Sequence, residues 1–333
     1  MIDASSVGFL VAVILIAVTF EFANGFNDAA NAIATVVSTR VMSPLAAVVM
    51  AGIMNFVGAV SGTAVAKAVA KGVVDPQGIT PEVVAGGVAA AAVWVFLASR
   101  LGLPVSGSHS LIAGVAGAGL ALGGPDILER AGLTRIVQGL VFSPLFGFLL
   151  AYVAMLAIYW LLRRVTPALI TVIFSKLQIL TAGWMAFSHG SNDAQKTMGI
   201  ITLALFTHGS ISDLSVPWWV IILSGSVMAA GTYFGGYRVI RTLGGRIVTM
   251  RPVHGAAAEG AAAGVITVAS RIGVPISTTH VITSSILGMG STRRLSAVRW
   301  GVAKGIMYAW ILTFPICAFL GAGLYLLTDL ITA

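Results

Sequence analysis

Long apolar runs, about ten of them, make up most of this 333-residue chain and are joined by short links. A run of about 20 apolar residues is long enough to cross a bilayer as a helix. Only 9% of the residues are charged, whereas a soluble domain carries about 25%. The pattern predicts an all-α polytopic membrane protein and excludes a water-soluble globule of this size.

The chain also contains an internal repeat. The stretch Ala98–His109 (ASRLGLPVSGSH) returns as Ala269–His280 (ASRIGVPISTTH), with seven of the twelve positions identical. Upstream, GFNDA at Gly25–Ala29 returns as GSNDA at Gly190–Ala194, in the same order. About five apolar runs fall in each half. Because an odd number of membrane crossings ends on the opposite side of the membrane, the second half is expected to be inverted relative to the first. Inverted-topology repeats are typical of secondary transporters.

The two repeats are expected at 1–165 and 166–333, in a single membrane unit of about 10–12 transmembrane segments. Basic residues cluster in three links, at 163–164, 238–251 and 293–299. The positive-inside rule places these links in the cytoplasm, so both termini are expected on the extracytoplasmic side of the membrane. The basic clusters are too short for a nucleic-acid-binding arm. Membrane lipid is therefore the expected surrounding, and no nucleic-acid partner is expected.

Two carboxylates, Asp28 and Asp193, lie in the middle of apolar runs, each directly after an asparagine. A carboxylate in hydrocarbon is costly unless it faces a cavity, a partner or an ion. Gly25 and Gly190 precede them, which predicts a broken helix at each motif. Carboxylate and amide oxygens suit Na⁺, and an aspartate also carries a proton. Asp28 and Asp193 are thus the expected metal ligands if the cation is Na⁺; a structural Arg or Lys partner is the alternative. The expected cation-binding residues are Glu21, Asn24, Asp28, Asn31 and Asp193.

A proline followed by clustered hydroxyl groups occurs twice, at Pro104 and at Pro275. This pattern predicts the tip of a re-entrant hairpin, where hydroxyls and backbone N–H groups donate to an oxyanion. Ordinary helix N-capping is the alternative interpretation. The expected substrate-binding residues are Asn27, Ser106, Gly107, Ser108, Asn192, Gln195, Ser277, Thr278 and Thr279.

Two further residues could contribute charge at the site. Lys196 has no basic counterpart in the first repeat, where Asn31 occupies the matching position. It could neutralise charge at the second motif and let that half bind the anion more strongly. Glu259 is alone among alanines and glycines and is a plausible proton or cation group.

These motifs resemble those of the inorganic phosphate transporter family, often called PiT. Gly25–Ala32 (GFNDAANA) resembles that family's G-x-N-D-x-x-N-A signature, and Ser188–Lys196 (SHGSNDAQK) resembles its second copy in bacterial members. The resemblance covers essentially the whole chain. It implies a plasma-membrane symporter that imports inorganic phosphate, sometimes as a metal–phosphate complex, with Na⁺ or H⁺. It also implies a homodimer. No cofactor is expected beyond the coupling ion.

We therefore expect a secondary active transporter that imports inorganic phosphate by symport with a cation, and not an enzyme. A sulfate permease of the same family is one alternative. A membrane-embedded lipid-phosphate phosphatase is another, with His109 or His280 as its base. An anion channel is a third. The sequence does not choose between Na⁺ and H⁺.

Overall fold

A computed structural model of the chain describes residues 6–332. Residues 1–5, which include Asp3 and the expected extracytoplasmic N-terminus, lie outside that range. Within it, regular structure is helical apart from one isolated bridge between Val74 and Leu128. The α-helices are α1 (Val7–Ser38), α2 (Pro44–Ala59), α3 (Ala64–Gly72), α4 (Pro81–Leu101), α5 (Gly107–Gly123), α6 (Arg130–Leu161), α7 (Pro167–Thr207), α8 (Trp218–Phe234), α9 (Tyr237–Arg241), α10 (Pro252–Arg271), α11 (Thr278–Ser291) and α12 (Trp300–Thr332).

Six of these helices are long and apolar enough to cross a membrane, namely α1, α4, α5, α6, α7 and α12. The number rises to 8 if the bent pairs α2–α3 and α8–α9 each count as one span. The all-α polytopic class is thereby confirmed. The expected count of 10–12 spans is higher because it included α10 and α11, and α11 has only 14 residues.

The prediction that the helices break at the two Asn-Asp motifs is wrong. Both α1 and α7 run without interruption through their motifs. The preceding glycines serve close helix packing instead. A Cβ at Gly25 would overlap the Met228 carbonyl oxygen on α8, and a Cβ at Gly190 would overlap the Asn55 carbonyl oxygen on α2. Small residues of this kind allow membrane helices to approach each other closely.

The broken spans lie next to the motifs rather than within them. The chain bends by 70° between α2 and α3 and by 63° between α8 and α9. Helix α7 supports the first bend, because Gln195 Oε1 accepts from the backbone N–H of Val65 at 2.8 Å. Helix α1 supports the second bend, because the Phe26 carbonyl accepts from the N–H of Gly236 at 2.7 Å. Each long motif helix therefore holds one bend of a neighbouring span.

Two helical hairpins, α4–α5 and α10–α11, form at the proline-hydroxyl motifs. Each turns at a glycine with positive φ, Gly102 or Gly273, both at 72°, a conformation that other residues rarely adopt. The loops that follow are buried at Val105 and Ile276. Helix α12 packs on α4 and α5, and α6 packs on α10 and α11. Each hairpin is thus covered by a helix from the opposite half of the chain. The division at residue 165 stays a prediction.

Candidate functional site

The tips of the two hairpins meet in the interior of the protein. Ser108 Oγ at the start of α5 donates to the carbonyl of Ile276, just before α11, at 2.9 Å. The rings of His109 and His280 stack with their centroids 4.3 Å apart. Trp310 of α12 stacks on His280 at 3.7 Å. The N-terminal ends of α5 and α11 are therefore brought together, which no local sequence pattern specifies.

Backbone N–H groups at these two helix ends are available to an anion. Ser106 and Ser277 cap their helices, each accepting from a histidine N–H three residues later at 3.2 Å. Within residues 6–332, the N–H groups of the next two residues in each helix have no recorded acceptor. These donors belong to Gly107, Ser108, Thr278 and Thr279. The positive ends of two helix dipoles and four unpaired donors thus converge on one interior region, an arrangement suited to an oxyanion.

Beside the tips lies a junction of three ionisable side chains, all buried. Nε2 of His189 lies 3.6 Å from Asp28 Oδ2 and 3.7 Å from Asp193 Oδ2. One potential ligand atom from each of the three residues lies within 4.8 Å of the others. The junction therefore brings together Asp28 and Asp193, the two predicted metal ligands.

Asn55 sets the hydrogen-bonding state of His189. Its side-chain nitrogen donates to Thr232 at 2.9 Å, so its oxygen accepts from Nδ1 of His189 at 3.0 Å. When the imidazole is neutral, its Nε2 lone pair then faces both carboxylates. Because the lone pair and the carboxylates repel each other, a cation bound between the three groups would relieve the repulsion.

Lys196 is paired directly with one of the two aspartates. Its buried ammonium contacts Asp193 Oδ1 at 2.6 Å, Ser108 Oγ at 2.5 Å and the Ile276 carbonyl at 2.8 Å. Thr278 donates to the second oxygen of Asp193 at 3.1 Å. Asp193 therefore has a built-in counter-charge, and Lys196 also ties the two hairpin tips together.

Asp28 has no such fixed cation. Its Oδ1 accepts from Thr279 at 2.8 Å, and its Oδ2 has no hydrogen-bond partner among the described residues. Asn31 donates its nitrogen to Thr279 at 3.0 Å and leaves its oxygen unpartnered. On the same face of α1, one oxygen each of Glu21 and Asn24 is also buried without a donor. The predicted cation ligands of the first repeat thus offer oxygens to which the structure assigns no donor.

The amide nitrogens of the two motif asparagines contact the hairpins in the same way, although only the Asn192 oxygen also accepts a hairpin N–H, that of Ile276 at 3.3 Å. Asn27 Nδ2 donates to Ser99 at 2.8 Å and to the Leu103 carbonyl at 3.4 Å. Asn192 Nδ2 donates to Ser270 at 3.1 Å and to the Val274 carbonyl at 3.4 Å. Both were expected to bind substrate, and that role stays a prediction. In the structure their amide nitrogens anchor the hairpin that follows each bend.

The hydrogen-bond partners of the two buried glutamates, Glu259 and Glu21, were not singled out from the sequence. Glu259 is fully buried and accepts hydrogen bonds from Thr35, from Thr181 at 2.6 Å and from Gln178 at 3.3 Å. Glu21 accepts from Thr197. These partners are isolated polar residues in apolar helices. That isolation was the only available signal, and it did not show which of them share a contact.

With the geometry described, comparison with known proteins places the chain in a family. The model of the phosphate transporter family matches residues 24–321. The chain belongs to the phosphate transporter family. This confirms the resemblance drawn from the repeated motifs, and it makes the protein a multi-pass member of a transporter family.

Relatives and a solved structure agree over nearly the full length. A probable low-affinity inorganic phosphate transporter of Rhizobium meliloti is 42% identical, covering 97% of each chain. One described in the same words from Bacillus subtilis is 40% identical, covering 96% of this chain and 97% of that one. The solved structure of a sodium-dependent phosphate transporter superposes with a TM-score of 0.88 at 26% identity, covering 97% of this chain and 99% of that chain. These phosphate transporter relatives confirm the prediction of a transporter rather than an enzyme.

Proposed function

We propose that this phosphate transporter imports inorganic phosphate across the plasma membrane by symport with a cation that binds at Asp28. The observation that carries the proposal is the junction of Asp28, His189 and Asp193 next to the paired N-terminal ends of α5 and α11. This arrangement supports a cation at the junction and an anion at the helix ends, side by side in the interior. The same relation is expected of any carrier that moves the two ions together.

Charge explains why the two ions bind together. Asp28, Asp193 and Lys196 carry one net negative charge when His189 is neutral. A phosphate anion alone would add charge of the same sign in a region shielded from water, at a cost of several kcal/mol. A cation at Asp28 removes that obstacle. Cation binding therefore precedes or accompanies phosphate binding.

The phosphate contacts follow from the available donors. The backbone N–H groups of Gly107, Ser108, Thr278 and Thr279 supply four. The ammonium of Lys196 already uses its three N–H donors, so it would contribute only its positive charge between the same tips. Ser106 and Ser277 contribute by ordering each helix end rather than by direct contact. No bidentate arginine clamp is needed, which allows release of the anion on the other side.

Sodium is the first candidate for the coupling ion. A proton on Asp28 would satisfy a single acceptor, whereas Na⁺ takes several hard oxygen ligands. The unpartnered oxygens of Asn24, Asp28 and Asn31 on one face of α1 favour the second arrangement. The solved relative is described as sodium-dependent, which supports the same choice. We propose in addition two inverted repeats and extracytoplasmic termini, because of the repeated motifs and the basic links. The proposed homodimer rests on the resemblance to the family alone.

Uptake into proteoliposomes tests the proposal. Radiolabelled phosphate is offered under an inward Na⁺ gradient, an inward H⁺ gradient or neither, with excess sulfate as competitor. Concentrative uptake driven by Na⁺ and unaffected by sulfate is the expected result. Uptake driven by H⁺ alone would overturn the choice of ion. No phosphate uptake under any gradient, together with sulfate uptake, would overturn the substrate.

A further inference from the structure

A cleft lined by arginines lies away from the transport site, where α6, α7, α10 and α11 come together. It consists of two adjoining cavities of about 380 Å³ and about 230 Å³. Tyr159, His254 and Arg293 line both cavities. The larger is also lined by Arg163 and Arg251, and the smaller by Arg294 and Arg299.

The charges of this cleft have no internal partners. No acidic residue is among its lining residues. Across residues 6–332, none of its arginines lies within ion-pair distance of a carboxylate. Five guanidinium groups around one concave surface repel each other, and a bound anionic group would relieve this repulsion. Arginine is the side chain that matches phosphate oxygens by paired N–H donors.

The floor of the cleft is ordered. His254 is buried, and its Nδ1 accepts from the backbone N–H of Arg251 at 3.1 Å. Its Nε2 faces the hydroxyl of Tyr159 at 3.4 Å. These contacts connect the end of α6 to the start of α10. The arginines therefore lie beside a hydrogen-bonded polar pair, His254 and Tyr159.

The position of the cleft matches the edge of the membrane. Tyr159 and Trp160 close a candidate membrane span and are 41% and 67% exposed, as expected of an interfacial aromatic belt. The guanidinium of Arg163 lies 5.6 Å from the ring of Trp160. The larger cavity is also lined by the apolar residues Met155, Ile158, Ile170 and Val253. Apolar side chains do not stabilise a free ion, whereas the acyl chains of a lipid would pack against them.

We propose that this cleft binds the phosphate headgroup of an anionic membrane phospholipid on the cytoplasmic side, with the acyl chains against the apolar wall. Basic pockets between membrane helices on this side are known to suit such headgroups. The bound lipid would join α6 of the first half to three helices of the second. The proposal does not depend on which ion the protein transports.

Native mass spectrometry of the detergent-solubilised full chain tests this site. The protein is supplied with phosphatidylglycerol or with phosphatidylcholine, and retained lipid is counted for wild type and for the double variant Arg251→Gln/Arg293→Gln. We expect wild type to retain more phosphatidylglycerol than phosphatidylcholine. The double variant should retain at least fivefold less phosphatidylglycerol than wild type. A double variant Arg241→Gln/Arg246→Gln is the matched control, because both arginines are exposed and lie outside the cleft. It should retain lipid like wild type.

Two controls keep the result unambiguous. Arg251→Lys/Arg293→Lys keeps the charge and should recover part of the lipid retention, which separates binding from misfolding. Inorganic phosphate and pyrophosphate are added without lipid in a separate arm. Equal lipid retention in all variants would overturn the proposal. A second result would also overturn it: wild type binds inorganic phosphate or pyrophosphate without lipid, and the Arg251→Gln/Arg293→Gln variant does not. The cleft would then be a site for soluble anions.

Discussion

The two Asn-Asp motifs have the same helical frame but different charge partners. In both, the asparagine anchors a hairpin through a serine and a carbonyl group. Asp193 then pairs with Lys196 at 2.6 Å, while Asp28 has Asn31 at the position that matches Lys196 and no Lys or Arg partner among residues 6–332. The protein thus supplies the counter-charge at the second motif and leaves the first to a mobile ion. The asparagine contacts are shared, while the differences Asn24/His189, Ala30/Gln195 and Asn31/Lys196 make the two sites inequivalent.

The largest effect is expected from Asp28→Asn. Removing the motif carboxylate that has no built-in counter-charge eliminates the charge that holds the coupling cation. Loss of a buried ionic contact costs about 3–5 kcal/mol, so gradient-driven phosphate uptake should fall on the order of 100-fold or more. The measurement is initial uptake in proteoliposomes. Asp126→Asn, at an exposed position, should transport like wild type; a fully active Asp28→Asn would remove Asp28 from the mechanism.

Lys196→Asn makes the second motif resemble the first. Asp193 then needs an external cation, so uptake should depend more steeply on cation concentration, with a Hill coefficient higher by about one. At low cation concentration the rate should fall about tenfold or more, which corresponds to about 1.4 kcal/mol, and it should recover at high concentration. The exposed Lys176→Asn is the control. An unchanged cation dependence would show that Lys196 does not replace an ion.

A smaller and asymmetric effect is expected from the neighbouring threonines. Thr279 donates to Asp28 and Thr278 donates to Asp193. Loss of one such bond to a charged group costs about 1.5–3 kcal/mol. Thr279→Val should therefore weaken the apparent cation affinity about tenfold or more. Thr278→Val should weaken it less, because Lys196 still holds Asp193. Equal shifts in both variants would contradict the assignment of the mobile ion to Asp28.

The smallest effects should be the same in both halves. Ser99→Ala and Ser270→Ala each remove one partner of an asparagine that anchors a hairpin. Each should lower the free energy of unfolding by about 1 kcal/mol, and neither should alter the steepness of cation dependence. Thermal unfolding in detergent and uptake assays measure the two quantities. A change in cation dependence for only one variant would mean that the scaffolds also differ.

Much of the architecture could be predicted from the sequence. Low charge and long apolar runs require a membrane environment, since the chain cannot solvate itself in water. The repeated Pro104 and Pro275 stretches predicted two hairpins, and the structure has a helical hairpin at each. Both Asp28 and Asp193 were recognised because a lone carboxylate in an apolar run needs a compensating partner. These are local consequences of composition and of repetition along the chain.

The position of the helix breaks was decided by packing between helices. Gly25 and Gly190 were expected to break their helices, because glycine permits irregular backbone. In the structure each is covered by a carbonyl group of a neighbouring helix, and α1 and α7 stay continuous. A glycine that breaks a helix and a glycine that admits a close neighbour look identical in sequence.

The sequence alone determined the chemical inventory of this protein: a membrane protein with two buried Asn-Asp motifs, two hydroxyl-rich hairpins and one unmatched lysine. Only the tertiary structure decided how these groups share charge. Lys196 meets Asp193 three residues earlier but also Ser108, 88 residues away along the chain. His189 joins Asp193 to Asp28 on another helix. Coulomb and hydrogen-bond energies depend on distances of a few ångströms, and such distances between helices are set only when the whole chain packs.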